Sequence, residues 1–338
     1  MVPNETEMLP APARAGAGQD RYTKPTVASG GVPNPRGYCD YDESRASWAI
    51  QATGAVTSPW TGKGVRVAVL DTGAALAHPH LAPRIQGAAS FVRGETPEDG
   101  NGHGTTCCGI VCGPRVGGDG QAGYGVAPDV DLYVGKVLLD ANRAGDLEGV
   151  IRGVEWALSH DCRVICLALG DCYLSCKSYP RFEELARHAL DQRTLIIAAA
   201  GNTSNRFGGV VDPVLYPASS EWVLAVSSVT GRLTIDLNSN AGGTNRGSAI
   251  SVAAPGQAIL SAARNDRIGY SNGTSMAAAF TAGIAALWLE AHPRLGGKQL
   301  WDVIERTAHA LPKESRVDVG AGLVRAPQLW DGITGEEG

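Results

Sequence analysis

The sequence has few aromatic residues, no excess of charge and no long uninterrupted apolar segment. Aromatic residues make up 6% of its 338 positions, and 29 basic residues stand against 34 acidic ones, for a net charge of −5. A chain this close to neutrality lacks the basic face of nucleic-acid proteins, so we expect no nucleic-acid partner. The longest nearly apolar run, residues 276–289, is interrupted by Thr281. It is shorter than the roughly 18 residues of a membrane helix, so we expect no membrane span.

The eight cysteines include no Cys-x-x-Cys pair with zinc spacing, so a structural zinc site is not expected. Most of them lie in segments predicted to be buried, where a free thiol behaves as a small apolar group. These are Cys107, Cys108 and Cys112 in a predicted helix and Cys162 and Cys166 in an apolar run. Cys172 and Cys176 bracket a short loop and are the best candidates for a local disulfide.

The chain divides by composition into an arm, one large domain and a tail. Residues 1–45 are rich in Pro, Gly and Ala, which predicts a flexible arm that builds no core. Their start has neither the basic segment nor the apolar stretch of a secretory signal, so we expect a cytoplasmic protein. Residues 46–330 are predicted to form a single domain, which we expect to be monomeric, and residues 331–338 a C-terminal tail.

From Gly64 onward, apolar strand-like runs alternate with helical patterns. Strands are predicted over residues 65–70, 131–138, 163–169, 194–200, 222–229 and 249–254, and helices over 147–158 and 182–190. Strands that are apolar on both faces and spaced by helices are typical of a parallel sheet covered on both sides. The pattern therefore predicts an α/β fold with three αβα layers around a doubly wound, mostly parallel sheet.

Four polar residues follow or precede buried segments, where α/β proteins place their active sites. Asp71 ends the first strand in VAVLDTG, and His103 lies in NGHGTTCCG. Ser275, in SNGTSMAAA, opens a long apolar helix, and Asn202 follows the strand of IIAAAGN. A serine becomes a nucleophile when a histidine takes its proton and a carboxylate orients that histidine. An asparagine amide and a helix N-terminus can stabilise the oxyanion that results, and the order Asp, His, Ser occurs in known triads.

Each of these residues also has an ordinary structural explanation when taken alone. Asp71 and Asn202 suit turns, and Ser275 suits a helix cap. An Asp-Thr-Gly motif also occurs in aspartic proteases, but those need two carboxylates and the chain has no second such motif. His78 and His80 suggest a metal site with His103 as third ligand, and we favour a surface loop instead. The joint occurrence of the four residues favours catalysis.

The sequence resembles the subtilisin-like serine proteases, the subtilase family of peptidase S8 type, between Trp48 and Val324. The segments DTG, NGHGT, AAAGN and GTSMA match in family order, together with GVEWA at 153–157 and ALG at 168–170. The resemblance implies the subtilisin-like fold and a serine endopeptidase working through an acyl-enzyme. In that mechanism Asp71 orients His103, His103 is general base and then acid, and Ser275 is the nucleophile. Asn202 and the Ser275 amide stabilise the oxyanion.

The resemblance also implies where the substrate lies. The pocket for the residue before the scissile bond matches Ala168, Leu169 and Gly170 on one side and Ala199, Ala200 and Gly201 on the other. These residues are uncharged, so we expect a preference for an apolar residue there. Arg206 and Asp212, in the loop that follows Asn202, are candidates to alter this preference. An edge strand at Arg143, Ala144 and Gly145 is expected to pair with the backbone of an extended substrate.

Several features depart from the family pattern or remain open. Ala279 stands where the family helix has proline, a change that should leave the helix intact. Catalysis requires no cofactor, whereas structural calcium is a family expectation for which Asp99 and Asp119 are candidate carboxylates. Cys107 lies one helical turn from His103, so bulky thiol reagents should displace the histidine.

The expected partner is a peptide or protein substrate, and three functional alternatives remain. One is a specialised protease that processes a precursor or leader peptide, with the arm at residues 1–45 acting as an inhibitory, propeptide-like segment. A second is a transpeptidase, and a third is a catalytically inert, peptide-binding pseudoprotease.

Overall fold

The structure is a computed structural model that describes residues 41–118, 120–170, 179–243 and 249–329. Its centre is a sheet of seven parallel strands. In spatial order these are β2 (Ile85–Ser90), β3 (Asp131–Lys136), β1 (Arg66–Asp71), β4 (Val164–Leu167), β5 (Leu195–Ala199), β6 (Leu224–Val229) and β7 (Val252–Pro255). The chain builds outward from β1 in both directions, which is the doubly wound order that the alternation of strands and helices predicts. A separate antiparallel hairpin follows, made of β8 (Ile259–Ala263) and β9 (Arg267–Ser271).

Helices cover both faces of the sheet. They are α1 (Trp48–Ala52), α2 (His103–Cys112), α3 (Leu147–Ser159), α4 (Pro180–Asp191), α5 (Thr274–Ala291), α6 (Gly297–Thr307) and α7 (Arg316–Val319). Alternate residues of β1 point to opposite faces: Val67 and Val69 belong to the core cluster that contains side chains of α2 and α5, whereas Ala68 and Leu70 belong to the cluster that contains side chains of α3. Since both faces are buried, the strand is apolar from Val67 to Leu70. The predicted three-layer αβα fold is confirmed.

Helix α5 lies in the centre of one layer and is buried from Thr274 to Leu289. Within the described ranges it is the one helix long and apolar enough to suit a membrane span, and 89% of it is buried inside the protein. It runs without interruption through Ala279, as expected for alanine in place of proline. The apolar run at residues 276–289 is therefore the core of this helix.

The predicted element bounds differ from the observed ones by at most three residues, and some elements have no counterpart among the predictions. Strand β2 was not predicted because it lies at the edge of the sheet, where its residues are half-buried and carry no clear apolar pattern. The five cysteines expected to be buried are buried and free, although Cys162 precedes β4 instead of lying in it. The arm up to residue 40, Cys172, Cys176, Asp119 and the tail at 331–338 lie outside the described residues.

Candidate active site

Asp71 and His103 form a hydrogen-bonded pair at the carboxyl edge of the sheet. Asp71 is the last residue of the central strand β1 and has no exposed surface. Nδ1 of His103 lies 2.8 and 2.9 Å from the two carboxylate oxygens, and the Thr72 backbone N–H donates to Oδ1 at 2.7 Å. Because a carboxylate only accepts, Nδ1 is the donor, and Nε2 of the neutral ring carries the lone pair that accepts a proton.

The turn after Asp71 and the start of α2 are in direct backbone contact, which places His103 against the carboxylate. A side-chain carbon at Gly104 would lie 2.1 Å from the Gly73 carbonyl oxygen, so only glycine permits this approach. Thr72 Oγ1 accepts from the Gly104 N–H at 2.9 Å and adds a second connection. The small residues that flank the two catalytic candidates thus serve to bring them together.

Asp99 adds further hydrogen bonds between the turn after Asp71 and the start of α2. It is buried, and its Oδ1 accepts from Thr72 Oγ1 at 2.9 Å and from the Gly102 N–H at 2.7 Å. Its Oδ2 accepts from the N–H and hydroxyl of Thr105 at 2.9 and 2.6 Å. A carboxylate surrounded by protein donors does not fit a calcium ligand, so the prediction for Asp99 is wrong. The position of Asp99 shortly before the NGHGT segment is the sequence feature that could have indicated this hydrogen-bonding role.

Ser275 lies in the first turn of α5 and is mostly buried. Gly273, with φ of 131°, turns the chain into the helix, so the first turn of α5 begins at the same edge of the sheet as Asp71. The Ser275 hydroxyl donates to the Ala168 carbonyl oxygen at 2.9 Å. In this state the nucleophile candidate is held by one wall of the predicted substrate pocket.

The side chain of Asn202 is oriented by Thr274. Its Oδ1 accepts from the Thr274 N–H at 2.8 Å and from the Thr274 hydroxyl at 3.1 Å. The same hydroxyl accepts from the Gly201 N–H at 3.1 Å. Because the amide oxygen is occupied by these donors, the amino group is the part of Asn202 that is presented beside Gly273 at the start of α5. Thr274, which no sequence argument selected, fixes that orientation.

The six predicted pocket residues lie on the neighbouring strand ends of β4 and β5. Ala168, Ala199 and Ala200 are buried, whereas Leu169 is half-buried and Gly170 is exposed. Leu215 lies between the two walls: a methyl group at Gly170 would be 3.2 Å from its Cβ, and one at Gly201 would be 2.7 Å from its Cγ. An apolar side chain therefore fills the space between them.

The loop after Asn202 does not direct Arg206 into this pocket. The Arg206 guanidinium binds Asp318 at 2.6 Å and the Ser239 carbonyl oxygen at 3.0 Å. Its charge is neutralised within the loop and α7, so we expect no effect of Arg206 on substrate preference.

The predicted edge strand at Arg143, Ala144 and Gly145 is wrong for the free chain. These residues end a turn in which the Leu139 N–H donates to the Ala144 carbonyl at 2.7 Å, and Arg143 has φ of 58°. No strand pairs with residues 143–145 in the described part of the chain, so they lack the ladder that defines a strand.

His78 and His80 belong to a loop, but the expectation of a surface loop is wrong for His78, which is buried. Its Nδ1 accepts from the His80 backbone N–H at 3.1 Å, and its Nε2 lies 3.2 Å from the Arg267 carbonyl oxygen. Among the described residues, the ligand-type side chains that converge are Asp71, His103 and Cys107, whose ligand atoms lie within 4.8 Å of one another. A metal site of His78, His80 and His103 is therefore not formed.

Burial, followed by the nearby Asp71 charge, raises the pKa of Cys107 well above 9.0.

The chain is similar to known proteins of one family. The model of the subtilase family matches residues 62–323, which is most of the chain. The chain belongs to the subtilase family. The match indicates a serine-type endopeptidase acting on peptide or protein substrates, and subtilases need no cofactor for catalysis.

Several subtilases resemble the chain over most of its length. Subtilisin E of Bacillus subtilis (strain 168) is 35% identical over 261 residues, which cover 77% of this chain and 64% of that protein. Subtilisin of Bacillus pumilus is 35% identical over 277 residues, covering 81% of this chain and 94% of that protein. The solved structure of sphericase superposes with a TM-score of 0.72 at 26% identity, covering 85% of this chain and 99% of the other. The chain thus spans less than two thirds of subtilisin E but nearly all of the other two subtilases.

Proposed function

We propose that the chain is a serine endopeptidase that hydrolyses peptide bonds through an acyl-enzyme on Ser275. The observation that carries this proposal is the placement of His103 Nδ1 against both carboxylate oxygens of Asp71, at 2.8 and 2.9 Å. That contact holds the ring in the tautomer whose Nε2 accepts a proton, and it stabilises the imidazolium that then forms.

Acylation begins when the Ser275 hydroxyl turns from the Ala168 carbonyl toward Nε2 of His103. The oxygen forms a bond to the substrate carbonyl carbon while its proton passes to Nε2. The negative charge that develops on the carbonyl oxygen accepts hydrogen bonds from the Asn202 amino group and the Ser275 N–H, at the positive end of α5.

Collapse of this intermediate breaks the peptide bond, and His103 gives its proton to the departing amine. Water then repeats the sequence on the acyl-enzyme: His103 takes a proton from water, the hydroxide adds to the ester carbon, and Ser275 leaves with the proton. Asp71 keeps its charge throughout.

The substrate we propose is an extended peptide with an apolar residue before the scissile bond. The uncharged walls at residues 168–170 and 199–201 and the apolar Leu215 between them support this preference. The turn at residues 143–145, which follows β3, is the segment that we propose lies along the backbone of this peptide.

The test is the intact mass of the purified protein after incubation with a fluorophosphonate. We expect a single adduct on the wild-type protein and none on Ser275→Ala. Ser271→Ala, a serine at the end of β9 four residues earlier, is the control and should label like wild type. A folded wild-type protein that takes no label would favour the inert peptide-binding alternative. Recording the N-terminus of each sample shows whether the arm at residues 1–45 is removed only when Ser275 is present.

We further propose that the enzyme acts as a cytoplasmic monomer on a precursor or leader peptide. The five free, buried cysteines of the described residues suit a reducing compartment. Cell fractionation and gel filtration test location and size. Release of an amine-coupled product in place of the free acid, when an amine is added, would favour the transpeptidase alternative.

A further inference from the structure

A lysine without exposed surface lies beside the catalytic candidates. Lys136 is the last residue of β3 and is the register partner of Asp71. Its ammonium has three acceptors: the Thr72 carbonyl at 2.6 Å, Asp140 Oδ1 at 2.5 Å and Glu95 Oε2 at 3.0 Å. Three donors thus meet three acceptors, which is the arrangement in which a buried ammonium is tolerated.

The three acceptors belong to different segments of the site. Thr72 follows Asp71, and Glu95 lies in the loop between β2 and α2. Asp140 opens the turn that carries the predicted substrate-binding residues 143–145. The Lys136 ammonium therefore bonds both the turn after Asp71 and the turn at residues 140–145, which is called the substrate turn below.

Asp140 continues this connection to the catalytic histidine. Its Oδ1 also accepts from the Gly100 N–H at 2.8 Å, and its carbonyl accepts from Asn101 Nδ2 at 2.8 Å. Asn101 Oδ1 in turn lies 3.3 Å from the His103 backbone N–H that donates to it. The substrate turn is bonded to the residues before His103 as well as to the residue after Asp71.

We infer that Lys136 is a positioning residue that holds the substrate turn at residues 140–145 in register with the Asp71–His103 pair. The inference rests on the proposed function. Within the turn, backbone bonds join Leu139 to residues 143 and 144, and the Ala144 N–H donates to Asn142 Oδ1 at 2.9 Å. The bond from Lys136 to Asp140 is what connects the turn to the Thr72 carbonyl. Without the ammonium, the carboxylates of Asp140 and Glu95 are like charges that repel each other. The turn would then move relative to Ser275, while Asp71 and His103 keep their direct contact.

This mechanism predicts a loss that depends on substrate length. A tetrapeptide anilide lies along the turn, whereas an ester of a single apolar amino acid reaches only the pocket and Ser275. We expect Lys136→Met and Asp140→Ala each to lower kcat/KM on the tetrapeptide about tenfold, mainly through KM, because the turn binds the longer peptide without taking part in the chemistry at Ser275. On the ester and in the rate of fluorophosphonate labelling, the change should stay within about twofold. Asp140→Asn keeps an acceptor and should lose less.

The double variant and a matched control complete the experiment. Because both side chains act through one contact, Lys136→Met with Asp140→Ala should be no worse than either alone. Asp129→Ala is the control, since Asp129 forms a half-exposed ion pair with Arg84 just before β3, far from the site. It should behave as wild type on both substrates.

The outcomes separate the inference from the proposed function. Equal losses on tetrapeptide and ester for Asp140→Ala, or additive losses in the double variant, would overturn the positioning role. Asp140 is partly exposed, so its variant should remain folded and carries the test even when Lys136→Met does not fold. Failure of the wild-type protein to label with fluorophosphonate would overturn the proposed function, and the inference with it.

Discussion

The Asn202 amide offers the most direct test of the oxyanion site. Its oxygen is occupied by the N–H and hydroxyl of Thr274, so its amino group is the donor available to a developing charge. Removing one such amide from a subtilisin costs roughly 3–4 kcal/mol of transition-state stabilisation. We therefore expect Asn202→Ala to lower kcat about 100- to 1,000-fold while KM changes little, because the charge exists only in the transition state.

Thr274→Val separates orientation of the amide from its presence. The variant keeps the 2.8 Å bond from the backbone N–H to Asn202 Oδ1 but loses the 3.1 Å bond from the hydroxyl. One of two orienting bonds remains, so we expect kcat to fall only about fivefold, the effect of one hydrogen bond of about 1 kcal/mol. The buried Gly201 N–H also loses its acceptor, which should lower the free energy of unfolding by about 1–3 kcal/mol.

The assay is the steady-state hydrolysis of a peptide anilide with an apolar residue before the scissile bond. Active-site titration corrects for protein that is not folded, and urea unfolding gives the stability of each variant. Asn238→Ala, at an exposed asparagine, is the control and should match wild type. Because Thr274 acts through Asn202, the double variant should lose no more kcat than Asn202→Ala. A folded Asn202→Ala protein with more than a tenth of the wild-type kcat would refute the assigned role.

Three further predictions follow from the site. Asp71→Asn should lower kcat about 10,000-fold at unchanged KM, since an amide no longer holds the proton-accepting tautomer of the histidine; a loss under a hundredfold in a titrated sample would contradict this. Leu215→Ala should widen the space between Gly170 and Gly201 and raise kcat/KM for phenylalanine relative to alanine before the scissile bond about tenfold, and an unchanged ratio on paired anilides would count against it. The pKa of Cys107 is raised well above 9.0 by burial, so at pH 8 the thiol is neutral. Alkylation by iodoacetamide, followed by mass spectrometry, should be slow at pH 8 and accelerate up to and beyond pH 9. Modification of Cys107 by a mercurial should lower activity. Full activity after stoichiometric modification would show that the thiol does not affect the histidine.

The central strands and several of the covering helices were predictable because their pattern is local. β1, β4 and β5 are apolar on both faces, and a continuous apolar run bounded by polar residues indicates such a strand whatever packs on it. β2 could not be predicted from the sequence because an edge strand with half-buried residues has no such pattern. The edge strand at residues 143–145 was wrongly expected for a related reason, since a strand exists only when a partner pairs with it.

The residues of the candidate site also fall into those that a local sequence motif identifies and those that only the fold brings to the site. Asp71, His103, Ser275 and Asn202 stand in short motifs whose chemistry and order are visible along the chain. No local motif identifies the partners that orient these residues, because each partner bonds to residues distant in sequence. These partners are Thr274, Asp99 and Lys136. The sequence by itself determined the fold class and the four candidate groups, since apolar periodicity and motif spacing are properties of neighbouring residues. Only the tertiary structure decided that Lys136 is buried between two carboxylates and that Asp99 accepts hydrogen bonds from protein donors and is not a calcium ligand. Burial and hydrogen bonding depend on which segments the fold brings together.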